Sequence, residues 1–501
     1  MVPQIGATHR GERLQGTPRI GHVKLRELIA SVDVTATRGD VDAEIASLAY
    51  DSRKVEPGTL FFCVPGQKSD GHEFAGQAVE AGAVALVVER ELDVGVAQVV
   101  VPDARAAMAP VAARFQGDPT AELRVVGITG TNGKTTTAFL VREILEAAGI
   151  RCGLLGTVRQ VVGGRDEGAE RTTPEAIDLQ ATFRRMLDAG DRACAMEVSS
   201  HALELHRCDA IHFEAALFTN LTQDHLDFHG GMEEYFRSKR RLFEMGPRNA
   251  IVNADDEYGR RLAGEFDCVT FSAGGATGDY PAQAVSFDAA GSEFEVGGTK
   301  VRTALPGQFN VANALGAYAA AVEIGVDPQV AVEGLGRAER VPGRFEPIDE
   351  GQPFAVLVDY AHTPDSLENV LRAARELGEG RVLSVFGAGG DRDREKRPKM
   401  GRAGTSLSDL AIVTSDNPRS EDPGAIIEEI LAGAAPGGEV EVEADRRTAI
   451  GLAFERARPG DVVVIAGKGH ERGQEFEGGR TIPFDDREVA REELRRLGSP
   501  A

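Results

Sequence analysis

The chain has 501 residues, of which 42% are apolar, and a formal net charge of −23. This length exceeds what one hydrophobic core usually organises, so the sequence predicts a globular protein of several domains. The acidic excess argues against nucleic acid or an anionic membrane as the main partner, and no apolar run reaches the roughly 18 residues of a membrane span. The five cysteines include no CxxC pair, which favours free thiols in a reducing cytoplasm over a metal or disulfide role.

The first 22 residues lack the apolar core of a signal peptide, and we expect them to form a disordered extension. From residue 23 to 121 strand-like and helical segments alternate, which predicts a compact α/β domain. Polar residues in the turns around one of its strands, LFFCV, are either solvated or part of a binding site. They include Ser52, Arg53, Gln67, Lys68 and Ser69.

A glycine-rich turn then joins the apolar run RVVGIT to an amphipathic helix that begins near Lys134. Gly130 and Gly133 allow the backbone to approach a polyphosphate, and the amides at the helix start attract its charge. Lys134 would reach the terminal phosphates, and Thr135 would offer its hydroxyl to Mg²⁺. One glycine of the strict phosphate-loop pattern is replaced by isoleucine. The segment predicts nucleotide binding without specifying the reaction.

Two later segments are candidates for completing a nucleotide site. Glu197 ends an apolar run, where an acid that polarises Mg²⁺ would lie; a paired structural acid is the alternative. The loop FTNLTQDHLDFHG contains Asp224, His225, Asp227 and His229, which either ligate a metal or serve in capping and hydrogen bonding before the helix predicted over 232–244. On that helix, Lys239 is interpreted from the charge pattern alone as a solvated or salt-bridging lysine.

The next helix is rich in alanine and carries Asn310 and Asn313 in its first turns, where asparagine more often caps a helix than reads a base. A hinge-like segment, RVPGRFEP, follows. We therefore place a domain boundary between residues 341 and 342.

In the last segment, apolar strands repeatedly run into polar turns. In open parallel sheets ligands bind at the carboxyl ends of the strands, so these turns predict a second site. The turn Asn417-Pro418-Arg419 offers a guanidinium suited to a carboxylate. The glycines after the strand RVLSVF do not complete a dinucleotide fingerprint, and we expect no nicotinamide cofactor. The polar residues expected at this edge are Asp359, His362, Arg392, Asn417, Arg419, Lys468, His470 and Glu471.

The motifs GTNGKTTT, EVSSHAL, FTNLTQDHLDFHG, FNVANALGA, GRFE, DYAHTPDSL, GAGGDRDREKRP, SDNPR and GKGHE resemble, in kind and order, those of the Mur ligases of peptidoglycan synthesis. The resemblance implies an α/β fold of three domains: an N-terminal UDP-sugar-binding α/β domain at 23–121, a central parallel sheet of the P-loop ATPase type at 122–341, and a C-terminal Rossmann-like amino-acid-binding domain at 342–501. It implies a cytoplasmic, monomeric, ATP-dependent ligase.

The implied reaction forms an amide bond. The γ-phosphate of ATP passes to the D-glutamate side-chain carboxylate of UDP-MurNAc-L-Ala-D-Glu, and the amine of meso-2,6-diaminopimelate captures the acyl phosphate. Activation is needed because a carboxylate is a poor electrophile. The substrates are small molecules, with no nucleic acid and no membrane insertion.

The resemblance also assigns residues to each ligand. ATP would be held by Gly130, Thr131, Asn132, Gly133, Lys134, Thr135, Thr136, Asn313, Arg344 and Asp359. Mg²⁺ would be bound by Thr135, Glu197, His225 and a carbamylated Lys239; Lys134, Glu197, His225 and Lys239 would be catalytic. The sugar dipeptide would contact Ser52, Gln67, Lys68, Ser69, Thr172, Thr173, Ser199 and Arg207. Diaminopimelate would contact Arg392, Asp416, Asn417, Pro418, Arg419, Gly467 and Glu471.

Three alternatives stay open. Another amide ligase of the same superfamily, adding L-lysine or extending folates, would share most motifs, although the DNPR turn speaks against it. A phosphate-loop protein that senses or hydrolyses ATP to regulate a partner would turn over nucleotide without a UDP-sugar. A pure interaction protein would have no use for Lys134 beside Thr135.

Overall fold

The computed structural model describes residues 23–66, 69–169, 171–275, 277–288 and 290–498. The extension predicted at 1–22 lies outside these residues, as do Gln67 and Lys68. The chain divides into two compact units, of which the first combines the segment up to Glu122 with Glu175–Asp188 and Leu205–Ile211. The second contains Leu123–Pro174, Ala189–Glu204 and the chain from His212 onward. The division into three domains at 121/122 and 341/342 stays a prediction.

The described part of the first unit is built on a mostly parallel five-stranded sheet. The strand predicted around LFFCV is confirmed as Thr59–Phe62; Leu60 and Phe62 pack on one face and Phe61 and Cys63 on the other. A strand buried on both faces is typical of a parallel sheet. In sheet order the strands are Ala36–Arg38, Ala97–Val100, Ala83–Val88, Thr59–Phe62 and Ser47–Ala49. Val23–Lys24 pairs with Glu44–Ile45, and the α-helices are Leu25–Leu28, Ala75–Glu80, Ala104–Phe115 and Ala176–Asp188.

The second unit begins with a nine-stranded sheet of the described residues, in which seven neighbouring strands are parallel. In sheet order the nine strands are Arg165–Asp166, Gln160–Val162, Cys152–Leu155, Ala193–Glu197, Arg124–Thr129, Phe213–Phe218, Asn249–Asn253, Val269–Ser272 and Tyr280–Pro281. The α-helices of this part are Lys134–Ala147, Ser200–Glu204, Leu226–His229, Met232–Glu244, Glu257–Glu265, Gln308–Glu323 and Pro328–Arg337. A three-stranded antiparallel sheet joins Gln283–Asp288, Gly291–Val296 and Thr299–Thr303.

The same unit continues into a six-stranded sheet with buried residues on both faces. In order its strands are Glu346–Pro347, Ala355–Asp359, Val462–Ala466, Val382–Phe386, Leu410–Val413 and Val440–Val442, all parallel except the first. Its helices are Pro364–Glu376, Lys396–Leu407, Pro423–Leu431, Arg446–Arg456 and Asp486–Gly498, and Gly473–Glu475 pairs with Thr481–Pro483. The predicted α/β class is confirmed, and so is the gathering of polar turns at the carboxyl ends of these strands.

A membrane-spanning helix would need a long apolar stretch. In the part of the chain that the structure describes, no helix has the length and hydropathy to cross a bilayer.

Candidate active site

The phosphate loop lies between the strand Arg124–Thr129 and the helix that begins at Lys134, as predicted. Gly133 precedes that helix at a φ of 85°, a left-handed conformation that favours glycine. A Cβ atom at Gly130 would collide with the hydroxyl of Thr219 on the neighbouring strand. Both glycines are therefore required by the backbone path of the loop, independently of any ligand.

Two lysines converge on this loop. The Nζ atom of Lys134 donates to the carbonyls of Gly130 and Thr131 at 2.8 and 2.9 Å, and Lys239 Nζ donates to the same Gly130 carbonyl at 2.8 Å. Lys239 is buried, so its interpretation as a solvated lysine is wrong. Burial first, and the charge of Lys134 second, lower the pKa of Lys239 well below its ordinary value. The uncharged amine is therefore more accessible at Lys239 than in a solvated lysine.

Glu197 lies at the carboxyl end of the adjacent strand and is buried. Its Oε1 accepts the backbone N–H of Thr157 at 2.8 Å, and its Oε2 accepts the Thr157 hydroxyl at 3.0 Å. The hydroxyl of Thr173 donates to the Glu197 backbone carbonyl at 2.8 Å. The carboxylate thus has structural hydrogen bonds and also lines the cavity at the phosphate loop, which leaves both sequence interpretations standing.

Asp224 is the centre of a charged cluster that sequence reasoning did not identify. Its carboxylate lies 3.2 Å from His225 Nε2, 3.6 Å from Lys396 Nζ and 3.7 Å from His362 Nε2. Burial would raise the pKa of Asp224, but Lys396 and the two histidines outweigh it and hold this pKa well below the ordinary value. Burial lowers the pKa of His225 to about 3, so its imidazole is neutral and able to serve as a ligand.

The side chains near the phosphate loop fit Mg²⁺ only when a bound nucleotide supplies further oxygen ligands. Thr135 supplies a hydroxyl, Glu197 a carboxylate and His225 an imidazole, whereas Mg²⁺ prefers six oxygen ligands and keeps phosphates and water among them. Within the described ranges, no group of three or more His, Cys, Asp or Glu side chains is arranged to hold a metal. The loop with His225 is therefore not a self-sufficient metal site.

The cavity at the loop has a volume of about 800 Å³ and receives residues from sequence positions far beyond the loop. Arg344 donates to the Thr135 hydroxyl at 3.0 Å and lies 4.4 Å above the ring of Tyr360. Asp359 accepts the backbone N–H of Phe345 at 2.7 Å, and burial raises its pKa. Asn132 donates to Asp365 at 2.9 Å, although sequence reasoning gave Asp365 no role.

Two more predicted ATP residues border this loop. Asn313 is buried and abuts Gly133, where a Cβ atom would collide with the Asn313 Oδ1, and it donates to Asn310 at 3.2 Å. Thr131 and Thr136 are buried, and the Thr131 hydroxyl donates to the carbonyl of Thr222 at 3.1 Å. The structure thus brings the predicted nucleotide residues, apart from Gly130, to the lining of one cavity.

The residues predicted for the sugar nucleotide divide between the two units. In the first unit, Ser52 donates to Gln77 at 3.2 Å and Arg207 pairs with Glu175 at 2.8 Å. Ser69 belongs to this unit, where its carbonyl accepts the backbone N–H of Gly66 at 3.0 Å. Gln67 and Lys68 lie outside the described residues.

In the second unit, three polar residues predicted for the same ligand lie beside Glu197. The hydroxyls of Thr157 and Thr172 are 3.0 Å apart, and the backbone N–H of Ser199 donates to the Thr173 hydroxyl at 3.1 Å. Thr172 and Ser199 line the same cavity as the phosphate loop. These hydroxyl groups therefore lie next to Glu197, the carboxylate predicted to bind Mg²⁺.

The residues predicted for the amino acid gather at the carboxyl edge of the six-stranded sheet. Asn417 donates to Glu471 at 2.9 Å, and Arg419 donates through Nε to Glu475 at 2.8 Å and through NH1 to the Gly390 carbonyl at 2.8 Å. Arg419 itself has a φ of 52°, which is uncommon for a residue with a side chain. Glu475, a partner that sequence reasoning missed, orients this guanidinium.

The remaining residues of this edge have defined positions. Gly467 has a φ of 127°, and a Cβ atom there would meet the carboxylate of Asp416. Burial would raise the pKa of Asp416, but Lys468 and then Arg446 hold it below the ordinary value. Arg392 donates to the carbonyl of its neighbour Asp391 at 2.9 Å. The carbonyl of Pro418 accepts the N–H of Glu421 at 3.0 Å.

Below this edge lies a fully buried ion pair that no sequence signal revealed. Arg446 donates to Asp486 through Nε at 2.8 Å and through NH2 at 2.7 Å. It also donates to the carbonyls of Ser415 and Ala466 at 3.4 and 3.0 Å; these residues lie at or just beyond the ends of the two strands that flank Val382–Phe386. The guanidinium thereby holds together the strand ends from which the turns at Asp416 and Gly467 emerge.

Comparison with known proteins identifies relatives over nearly the whole chain. Models of the Mur ligase family match residues 44–116 (catalytic domain), 128–321 (middle domain) and 343–469 (glutamate ligase domain). A UDP-N-acetylmuramoyl-L-alanyl-D-glutamate--2,6-diaminopimelate ligase from Syntrophomonas wolfei is 47% identical over 487 residues, covering 94% of this chain and 99% of the relative. The protein of the same name from Streptomyces coelicolor is 48% identical over 497 residues, covering 95% and 97%. A solved structure with that name aligns with a TM-score of 0.68 and 32% identity, covering 96% of this chain and 100% of the other.

Proposed function

The chain belongs to the Mur ligase family, and from that premise we propose how its residues carry out the reaction. It is an ATP-dependent ligase that adds meso-2,6-diaminopimelate to the D-glutamate side-chain carboxylate of UDP-MurNAc-L-Ala-D-Glu, in the synthesis of peptidoglycan precursors. Like its family, it uses ATP with Mg²⁺.

The phosphate loop is proposed to hold the triphosphate. Lys134 lies at the positive end of its helix, where a phosphate would take the place of the Gly130 and Thr131 carbonyls as partner of the ammonium. Arg344 reaches Thr135 and is proposed to contact the same phosphates. Bound Mg²⁺ would neutralise phosphate charge and favour phosphoryl transfer, held by Thr135, Glu197 and His225.

Lys239 is proposed to carry a carbamate. An ammonium beside Mg²⁺ would repel it, whereas a carbamate presents anionic oxygen. Carbamylation requires an uncharged amine: its lone pair forms the new N–C bond to CO₂, and a proton is released. The low pKa of Lys239, caused by burial and by Lys134, supports this modification.

The chemical steps follow from the nature of the two substrates. A carboxylate oxygen of D-glutamate attacks the γ-phosphorus and ADP leaves. The diaminopimelate amine then attacks the acyl carbon, loses a proton, and phosphate departs with that carboxylate oxygen. This chain's residues hold the phosphates at Lys134 and orient the amino acid at Asn417, Arg419 and Glu471.

The observation that carries the nucleotide assignment is one cavity lined by Lys134, Thr135, Glu197, Arg344 and Asp359. The experiment is phosphate release with purified sugar dipeptide and ATP, scanned over amino acids. We expect release only when sugar dipeptide and amino acid are both present, fastest with meso-diaminopimelate. Faster turnover with L-lysine or glutamate would contradict the pocket assignment, and release without UDP-sugar would favour an ATP-dependent regulator.

Arg419 is proposed to bind the distal carboxylate of diaminopimelate, together with Arg392. Arg419→Ala is therefore expected to lower kcat/KM for diaminopimelate by about 30-fold, since deleting one partner of a buried charge pair costs about 2 kcal/mol or more. L-lysine lacks that carboxylate, so its kcat/KM should stay the same. Arg480→Ala is the matched control, because Arg480 stacks on Phe476 in the adjacent hairpin. An unchanged preference for diaminopimelate over lysine in Arg419→Ala would refute the role.

We also propose a monomer that works in the cytoplasm. The five cysteines are free thiols, which agrees with a reducing compartment. Sedimentation of the purified chain tests the oligomeric state, and fractionation of cells tests the location.

A further inference from the structure

We propose that Lys468 is a positioning residue of the amino-acid pocket. Its buried ammonium holds the Glu471 carboxylate, directly and through the amide of Asn417, so that one oxygen of that carboxylate is left to receive the ammonium of the incoming diaminopimelate. This inference rests on the proposed function of the pocket and extends it to a residue that does not touch the substrate.

The Lys468 side chain lies among three polar residues of the predicted amino-acid site. It is 0% exposed, and its Nζ lies 2.8 Å from Asn417 Oδ1, 3.0 Å from Glu471 Oε2 and 3.8 Å from Asp416 Oδ1. A fully buried lysine is rare unless it is paired, and here two carboxylates and an amide oxygen surround it. The ammonium is the shared partner of three pocket residues.

Lys468 also helps to fix the orientation of the Asn417 amide. Its Oδ1 accepts from Lys468 Nζ and also from the backbone N–H of Glu475 at 3.0 Å. With both donors on the oxygen side, Nδ2 is directed to Glu471 Oε2 at 2.9 Å. Replacing the ammonium would remove one of the two donors that fix which way this amide faces.

The two oxygens of Glu471 have different partners. Oε2 receives both Lys468 and Asn417, whereas Oε1 is approached by the hydroxyl of Tyr360 at a long 3.4 Å. The side chain is 31% exposed, so part of it is accessible from outside the protein. Two donors fix the carboxylate through Oε2, while Oε1 has only a weak partner. Oε1 is therefore suited to a charge-assisted hydrogen bond with a substrate ammonium.

Electrostatics adds a reason for a cation at this place. Asp416 and Glu471 both approach Lys468, and Arg446 below them is already committed to Asp486. Without Lys468 the two carboxylates would lose the cation that both approach, which favours displacement of Glu471. A pocket that selects a zwitterionic end group depends on keeping this carboxylate in place.

The test uses the full chain with Lys468→Met, which keeps a long apolar stem and removes the ammonium. We expect KM for diaminopimelate to rise about 10-fold or more, because a charge-assisted hydrogen bond is lost from its proper geometry. KM for ATP and for the sugar dipeptide should stay within about twofold, since neither ligand is assigned to Lys468. Lys300→Met is the matched control, because Lys300 pairs with Glu293 on the surface of the three-stranded sheet.

A double-mutant comparison separates positioning from direct contact or general support. If Lys468 acts through Glu471, then Lys468→Met combined with Glu471→Gln should have the same KM for diaminopimelate as Glu471→Gln alone. This comparison also serves if Lys468→Met alone does not fold, because the double variant leaves fewer unpaired buried charges. A further rise in the double variant would overturn the proposal, as would equal rises of all three KM values in Lys468→Met.

Failure of the proposed role of Lys468 can be distinguished from failure of the proposed function. If the unaltered chain releases phosphate with no amino acid, or prefers lysine, the function of the pocket is wrong. If the unaltered chain prefers diaminopimelate and Lys468→Met leaves its KM unchanged, only the role of Lys468 is wrong.

Discussion

Replacing Lys134 with alanine is expected to lower kcat by about 10³-fold, because removal of one preorganised group that stabilises transition-state charge costs that much in enzymes. Lys134 begins the helix after the phosphate loop, and its Nζ contacts the loop's own carbonyls at 2.8 and 2.9 Å. The measurement is steady-state phosphate release with saturating ATP, sugar dipeptide and diaminopimelate.

The control for this variant is Lys300→Ala, which removes an exposed lysine of the three-stranded sheet and should leave kcat unaltered. A melting temperature close to that of the unaltered chain would show that the Lys134 variant is folded. Full activity in folded Lys134→Ala would contradict the assignment of the phosphate loop.

The second large effect is expected for Lys239→Ala, with kcat lowered about 10²-fold. The variant loses the carbamate proposed to approach Mg²⁺, and a short carboxylate such as acetate should restore part of the rate by occupying the space. The measurement is phosphate release as a function of acetate concentration.

Lys134→Ala provides the matched control for that rescue. Lys134 supplies a cation, so acetate cannot replace it and should leave the rate of that variant low. Wild-type rates in Lys239→Ala without any additive would contradict a role for the carbamate in the reaction. Mass spectrometry under CO₂ would report the modification separately from the activity.

Local patterns in the sequence predicted the framework of both sites. The strand, glycine turn and helix around Lys134 are contiguous in the sequence. The backbone geometry at positions 130 and 133 requires glycine, so these positions can be recognised from the sequence motif. The polar turns at Asp359 and Asn417 were predictable because the carboxyl ends of parallel strands share one edge.

Features that depend on distant chain segments were not predictable in the same way. The charge pattern of its helix suggests that Lys239 is exposed, but tertiary packing buries it against the Gly130 carbonyl, more than 100 residues away in sequence. The sequence presents Asp224 as a metal ligand or a cap, but it does not indicate that Lys396, from a distant segment, lies 3.6 Å from its carboxylate. Glu475 belongs to none of the sequence motifs, yet it pairs with Arg419.

The division of the sugar-nucleotide residues had a similar cause. Ser52 and Arg207 belong to the first unit although more than 150 residues separate them, because the segments Glu175–Asp188 and Leu205–Ile211 join that unit. No periodicity in the sequence indicates that these short segments return to it.

The most direct test of the central claim, that ATP activates the glutamate carboxylate, follows oxygen atoms. The D-glutamate side-chain carboxylate of the sugar dipeptide is labelled with ¹⁸O, the reaction is run with ATP and meso-diaminopimelate, and the released phosphate is analysed by mass spectrometry. The account predicts one ¹⁸O atom in each phosphate per amide formed. Phosphate released without label while the amide accumulates would contradict it.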